Sequence, residues 1–245
     1  SGTNLNGFNK GGAPLWPTLP LGGNSRVTPS IDEISRRIYL GVSNSNFFAI
    51  DYQGGKVMWN VICDAPIESS AVITSDRKLV FMTKLGTMYG FDISTDIAHT
   101  VPGWKVNFGE VSLKSVAIDN TDHIIFGTDK GNVYKVKLGA NGTITTLWKV
   151  SLSTSINSSP VLDAQGFIYI GDEEGFFTKL NPENGAVLWK FNAKAPIRST
   201  PSISNFGSIN IATQTGAVFS LNESGKVRWK YNAGAPISAN ILYID

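Results

Sequence analysis

Two histidines, His99 and His123, and one cysteine, Cys63, are the side chains of this 245-residue chain best suited to act as base, nucleophile or metal ligand. Neither histidine is read as having a His, Cys, Asp or Glu partner at ligand spacing, so a metal site and a catalytic triad both lack their parts. The run Asp119-Asn120-Thr121-Asp122 comes nearest to a calcium loop. It lacks the glycine and the distal glutamate that such a loop needs, and reads as a plain turn. No nucleophile elbow, phosphate loop or dinucleotide fingerprint occurs. A lone cysteine makes no internal disulfide and cannot fill a cysteine-rich zinc or iron–sulfur site, and it fits cytosol and export equally. Glycosylation sequons start at Asn141, Asn157 and Asn222, a number that the Asn, Ser and Thr content produces by chance.

Charge narrows the partners. There are 21 basic and 19 acidic residues, a net charge of +2, and no Lys/Arg block. A nucleic acid or a polybasic membrane contact therefore has no electrostatic footprint. No apolar run approaches the ~18 residues of a membrane span, so no membrane insertion is expected, and no signal-like apolar region occurs. Charged residues are only 16% and apolar residues 42%. A chain of this size and composition can bury a sizeable core, and one all-β domain of about 200–250 residues is a normal size.

What positions these residues is a repeat. All six tryptophans fall in one register, Trp16, Trp59, Trp104, Trp148, Trp189 and Trp229, at intervals of 43, 45, 44, 41 and 40 residues. The surrounding sequence recurs: Val187-Leu188-Trp189-Lys190-Phe191-Asn192-Ala193-Lys194-Ala195-Pro196-Ile197 matches Val227-Arg228-Trp229-Lys230-Tyr231-Asn232-Ala233-Gly234-Ala235-Pro236-Ile237. Within each period a Ser/Thr-rich approach leads to a short strand and a polar turn. A nearly continuous apolar strand follows, such as Leu79-Val80-Phe81-Met82, then a glycine turn at Gly86, Gly131, Gly175 or Gly216. An alternating strand, a third turn such as Asn181-Pro182-Glu183-Asn184-Gly185, and the Trp strand complete the unit. Four short strands per 40–45 residues predict an all-β propeller of four-stranded antiparallel blades. The apolar second strands need cover on both faces, which neighbouring blades supply, so a single blade is not stable alone. A short helix over residues 31–38 would occupy a slot that is a turn in every other unit, and is discounted.

Strand sets are complete over about 26–61, 69–107, 114–150, 157–192 and 198–232, giving five blades. Ser238–Ile244 supplies one further first strand, and Trp16 could be the last strand of that partial sixth blade. Either the sixth blade is partial, or the chain is cut from a larger ring, or another chain completes it. Residues 1–15 are expected to be an N-terminal extension, poorly ordered or an edge strand, and 16–245 a single propeller domain. At a repeated position in every unit the tryptophans are read as packing between blades rather than as stacking platforms for a cofactor.

The stretch Ala49-Ile50-Asp51-Tyr52-Gln53-Gly54-Gly55-Lys56-Val57-Met58-Trp59 resembles the tryptophan-docking repeat of quinoprotein-type (PQQ-like repeat) propellers, and Leu180-Asn181 to Trp189 and Leu221-Asn222 to Trp229 repeat it. The resemblance covers roughly residues 16–245. It implies the propeller architecture and a periplasmic or extracellular location. The family includes dehydrogenases, the outer-membrane assembly lipoprotein BamB and sensor domains, and the chain is closest in character to the non-enzymatic BamB-like members. The quinone enzymes use adjacent cysteines and a Glu, Asn and Asp calcium set, and no such set is matched here, so no cofactor is expected. PQQ with calcium belongs only to the alternative that the chain is a piece of a dehydrogenase.

In propeller topology the connection after Pro-Ile crosses the mouth of the central channel. The varying residues there are Arg26, Glu68, Lys114, Asn157, Arg198 and Ser238, with Asn44, Lys84, Lys130, Glu173, Glu174 and Gln214 of the glycine turns on the same face. A scaffold that repeats while one rim varies fits a binding face; ordinary solvated loop residues are the plainer reading. The expected function is non-enzymatic recognition of a protein or peptide on that face or on an exposed strand edge. A small anionic ligand at the mouth is an alternative, as is self-association through an incomplete blade.

Overall fold

The computed structural model describes residues 2–95, 102–112, 114–152, 154–204, 206–237 and 239–241. The described residues are built of β-strands and form five four-stranded antiparallel sheets. Blade 1 is Ser30–Asp32, Arg37–Gly41, Asn46–Asp51 and Val57–Ile62; blade 2 is Val72–Ile73, Lys78–Met82, Thr87–Asp92 and Trp104–Asn107. Blade 3 is Ala117–Ile118, Ile124–Gly127, Asn132–Leu138 and Ile144–Ser151; blade 4 is Val161–Leu162, Ile168–Gly171, Phe176–Leu180 and Val187–Asn192. Blade 5 is Ser202–Ile203, Ile209–Ala212, Ala217–Leu221 and Val227–Asn232. These are the five strand sets read from the repeat, and residues 31–38 form a strand-turn-strand, not a helix. Ahead of them, Gly2–Leu5 pairs with Leu19–Ser25 in a two-stranded sheet. The further first strand expected over Ser238–Ile244 lies largely outside the described residues. No helix among the described residues is long and apolar enough to cross a membrane.

The chain divides into two compact units, residues 1–115 with 139–144, and 116–138 with 145–245. In the first, blades 1 and 2 share a core in which Phe47 stacks on Phe81 with ring centroids 3.9 Å apart, and Trp59, Leu79 and Phe91 close around them. In the second, blades 3 and 4 pack through Ile125, Trp148, Ile168 and Ile170, and blades 4 and 5 through Tyr169, Phe177, Ile209, Ile211 and Phe219. The second strand of each blade is the most buried, because its alternate residues serve cores on opposite faces of the sheet.

The turns follow one rule. In the second turn the N–H of the fourth residue returns to the carbonyl of the first, and that fourth residue is left-handed: Ser45, Gly86, Gly131, Gly175 and Gly216. The first residue's side-chain oxygen accepts the N–H of the fifth, as in Thr83 with Thr87, Thr128 with Asn132 and Thr213 with Ala217. Blade 4 places Asp172 where three others have threonine. Its Oδ1 accepts from the N–H groups of Glu174 and Phe176, but the buried Oδ2 has no hydrogen-bond partner among the described residues. Burial raises its carboxyl above the usual range. A raised carboxyl favours the folded state only while protonated, and that contribution is lost as pH rises through the folded pKa. Asp172→Thr, the choice of blades 2, 3 and 5, should therefore stabilise the chain by about 1 kcal/mol at pH 7, with the gain shrinking in acid. Denaturant melts at pH 7 and pH 4 check this.

Candidate functional site

Each residue before the Pro-Ile connection is tied to the turn it crosses. The Lys84 N–H donates to the Pro66 carbonyl and the Gln214 N–H to the Pro196 carbonyl, while Ile67 and Ile197 donate back to Val42 and Asp172. The isoleucine sinks against a glycine at the end of a second strand: a Cβ on Gly171 would lie 2.4 Å from Ile197, and one on Gly41 2.3 Å from Ile67. A serine two residues on ties the second strand of the next blade, Ser158 Oγ donating to the Gly171 carbonyl and Ser199 Oγ to that of Ala212. This anchoring leaves the intervening residues at the surface.

The structure brings five of the expected rim residues together in two groups, and Lys114, Lys130 and Asn157 join neither. In the first unit Arg26 and Glu68, with Asn24, Ser43 and Ile67, line a cavity of about 160 Å³, and Lys84 Nζ lies 3.6 Å from Glu68 Oε1. In the second unit the Arg198 guanidinium holds Glu173 through Nε and Nη2 at 2.8–3.1 Å. Arg26, Lys84, Lys130 and Arg198 are exposed; Glu68, Lys114, Asn157 and Glu173 are half-buried. Ser238 lies outside the described residues, as does His99. The pairing of rim cations with rim carboxylates was not apparent from the repeat, because partners such as Glu173 and Arg198 sit on different loops.

His123 differs from the reading above: its Nδ1 lies 3.4 Å from Asp119 Oδ2 and 2.8 Å from Thr121 Oγ1. Asp119 is nevertheless a turn residue. Its Oδ1 accepts from the N–H groups of Thr121 and His123, and its Oδ2 lies 2.8 Å from Lys135 Nζ. Burial works against this carboxylate's charge, but Lys135, Thr121 and the two N–H groups hold it down to about 2. Among the described residues no three His, Cys, Asp or Glu side chains converge as a metal site. Cys63 is buried, and burial with neighbouring Asp64 pushes its thiol up to about 12, far from a reactive thiolate.

The tryptophans act at the blade junctions. Trp16 Nε1 donates to the Tyr52 carbonyl at 3.0 Å, Trp104 to Gly139 at 2.8 Å, Trp148 to Pro182 at 3.0 Å and Trp189 to Glu223 at 2.9 Å. Each acceptor is the third turn of the following blade, 34–36 residues on. Three of these turns end in a left-handed glycine beneath the indole. A Cβ there would lie 2.3 Å from Trp16 at Gly55, 2.8 Å from Trp148 at Gly185 and 2.9 Å from Trp189 at Gly225. The turn that follows Asp92, which would receive Trp59, runs into residues 96–101, outside the described residues. The indoles of Trp16, Trp104, Trp148 and Trp189 are thus committed to packing and to a backbone carbonyl.

Comparison with known proteins agrees with this architecture. Residues 130–242 match the family model described as outer membrane protein assembly factor BamB. A curated protein of that name from Nitrosomonas eutropha is 32% identical over 92 residues. The match takes in 37% of this chain and 22% of the relative, so it spans about a fifth of the relative's length. The crystal structure of BamB from Moraxella catarrhalis superposes with a TM-score of 0.63 at 16% identity, covering 97% of this chain and 82% of that one, a likeness of fold.

Proposed function

We propose that the chain, a β-propeller in fold whose repeats resemble those of BamB, is a non-enzymatic protein-binding module of the bacterial cell envelope. The observation that carries this reading is the contrast within each connection. The isoleucine and serine of the connection are buried at successive blades, Ile67 with Ser69, Ile156 with Ser158 and Ile197 with Ser199, while the residues between them, Glu68, Asn157 and Arg198, are less buried and differ. Because Arg198 is matched by Glu173 and Lys84 by Glu68, each group offers paired opposite charges rather than a sink of positive charge. A mixed-charge protein surface complements that pattern better than a small anion does. A periplasmic location follows from the same reading, as does a protein partner engaged in outer-membrane assembly.

The test is site-specific photo-crosslinking in cells of the source organism. A crosslinking residue in place of Lys84 or Arg198 should yield a discrete adduct with an envelope protein, and one in place of Gln165, in a first turn of blade 4, should not. Equal yields at all three sites, or none above background, would contradict the proposal. The dehydrogenase alternative is checked separately: adding PQQ and calcium to the purified chain should change neither its melting temperature nor the reduction of an electron-accepting dye.

A further inference from the structure

An arginine fills the junction of blades 1 and 2, and a glycine stands at the same place between blades 4 and 5. The guanidinium of Arg77, which closes the first turn of blade 2, makes two 2.6 Å hydrogen bonds to Asp32 at the head of the first turn of blade 1. Its Nη2 also lies 3.3 Å from the Ile93 carbonyl in the third turn of its own blade. Strand register places Asp163 of blade 4 where blade 1 has Asp32. It places Gly207 of blade 5, left-handed at φ 71°, where blade 2 has Arg77 at φ 68°, and Glu223 where blade 2 has Ile93. Without a side chain on Gly207 a cavity of about 230 Å³ opens between the two blades, walled by Leu162, Ile203 and Ile209 and bordered by Asp163, Tyr169 and Glu223.

The electrostatics of this cavity favour a cation. Asp163 Oδ1 accepts from the N–H groups of Gln165 and Phe167, and Oδ2 accepts from the Tyr169 hydroxyl at 2.8 Å. A carboxylate offers about four acceptor sites, so Oδ2 keeps one open. Lys179 Nζ lies 3.9 Å from Oδ2 and over the Phe167 ring. Burial, Asp163 and Glu223 together raise the Tyr169 phenol, which stays protonated and donates. Glu223 is exposed and makes no ion pair among the described residues. Its Oε1 would lie 2.4 Å from a Cβ on Gly207, so the carboxylate stands over the place of the missing side chain. Two carboxylates thus face one ammonium, and one negative charge is left over.

We propose that this cavity binds a small molecule bearing a guanidinium group, seated against Asp163 and Glu223 as Arg77 is seated against Asp32. The planar fork of a guanidinium donates to two acceptors at once, which the point charge of an ammonium does not reproduce. The apolar wall covers the ligand's stem. The volume is below the ~300–1,000 Å³ of pockets for drug-sized ligands, so the occupant is small. The junction of blades 3 and 4 shows what distinguishes this one. There Gly166 faces Asp119 across a cavity of about 220 Å³, but Lys135 Nζ, 2.8 Å from Asp119, supplies the cation from within the chain.

The test is a titration of the full chain followed by two-dimensional nitrogen–proton NMR, with butylguanidinium, its uncharged isostere butylurea, and pentylammonium. Butylguanidinium should give saturable shifts at the Gln165, Gly207 and Glu223 amides with a Kd of about 1 mM or tighter. Butylurea should give none, and pentylammonium should bind at least about ten-fold more weakly. Gly207→Arg, an arginine in the left-handed position that Arg36 and Arg77 already occupy, should fill the cavity from within and abolish binding. Glu223→Gln should weaken binding by about ten-fold or more. Equal binding of butylguanidinium and butylurea, binding that survives Gly207→Arg, or no saturable binding below about 10 mM overturns the proposal. Thermal melts establish that each variant is folded. If Gly207→Arg is not, Glu223→Gln carries the comparison, and an unchanged affinity there overturns the proposal as well.

Discussion

Gly175→Ala should lower the stability of the chain by about 3 kcal/mol, one of the largest single-residue effects available in a structure with no disulfide. Two costs combine. Gly175 has φ 86°, where an L-residue is strained by about 1 kcal/mol. The second cost is contact: a Cβ at that position would lie 2.5 Å from the Ala195 carbonyl oxygen and 2.7 Å from its nitrogen. The close approach is built in, because the Ala193 N–H donates to the Gly175 carbonyl and fixes the connection against the turn. The same approach recurs at Gly131 against Thr154 and at Gly216 against Ala235. Blade 1 carries Ser45 there at φ 68° with the Cys63 N–H donating to its carbonyl, so the left-handed turn and this hydrogen bond by themselves accept an L-residue, and the cost at Gly175 rests on its approach to Ala195. For a chain of this size 3 kcal/mol corresponds to a fall of roughly 6–12 °C in melting temperature. A fall below about 2 °C would show that the connection relaxes away from the turn and that the junction is looser than described.

Arg77→Met is the second large effect, again about 3 kcal/mol, and it acts between blades 1 and 2. The Arg77 guanidinium makes two 2.6 Å hydrogen bonds to both oxygens of Asp32, which is buried and also accepts from the Ile34 N–H and the Ser35 hydroxyl. Burial by itself would raise the Asp32 carboxyl. The hydrogen bonds from Arg77 and Ser35 and the Arg77 charge outweigh it and hold the group at about 2. Removing the guanidinium leaves a buried carboxylate without its counter-charge, while Asp32→Leu with Arg77→Met should lose much less than Arg77→Met alone. The pH dependence has a defined sign. A carboxyl depressed in the folded state contributes stability that is fully present above its unfolded pKa of 3.8 and is lost as pH falls through about 2. The unaltered chain should therefore exceed Asp32→Asn by about 2 kcal/mol at pH 7, and the gap should close between pH 4 and pH 2. A gap that stays constant in acid would mean that the pair does not set the titration.

The spacing of the tryptophans carried the architecture because a large apolar side chain at one strand position in each unit can be buried only by a neighbouring unit. The turns were legible for the same reason: Gly86, Gly131, Gly175 and Gly216 mark positions where a left-handed backbone meets another segment. The destination of each indole was not. The acceptors belong to Tyr52, Gly139, Pro182 and Glu223, which share no side-chain type, because the interaction uses only a carbonyl. The Arg77–Asp32 pair joins residues 45 apart in neighbouring blades, and the position of Arg77 reads Arg36, Asp122, Gly166 and Gly207 in the other blades, so no repeated side chain announces it. On the candidate face, the alternation of buried isoleucine and exposed charge could be read from sequence. That Arg198 is satisfied by Glu173 could not, since the pairing depends on how far the guanidinium reaches across the turn.

The claim on which the rest depends is that each docked indole N–H is held by a carbonyl of the following blade. Amide and indole hydrogen exchange followed by two-dimensional nitrogen–proton NMR reads this directly, since each tryptophan gives its own indole signal. The structure requires slow exchange at Trp16, Trp104 and Trp148, intermediate exchange at the half-buried Trp189, and rapid exchange at Trp229 in dilute solution. Uniformly rapid exchange, or a protected Trp229 beside an unprotected Trp148, would contradict the account.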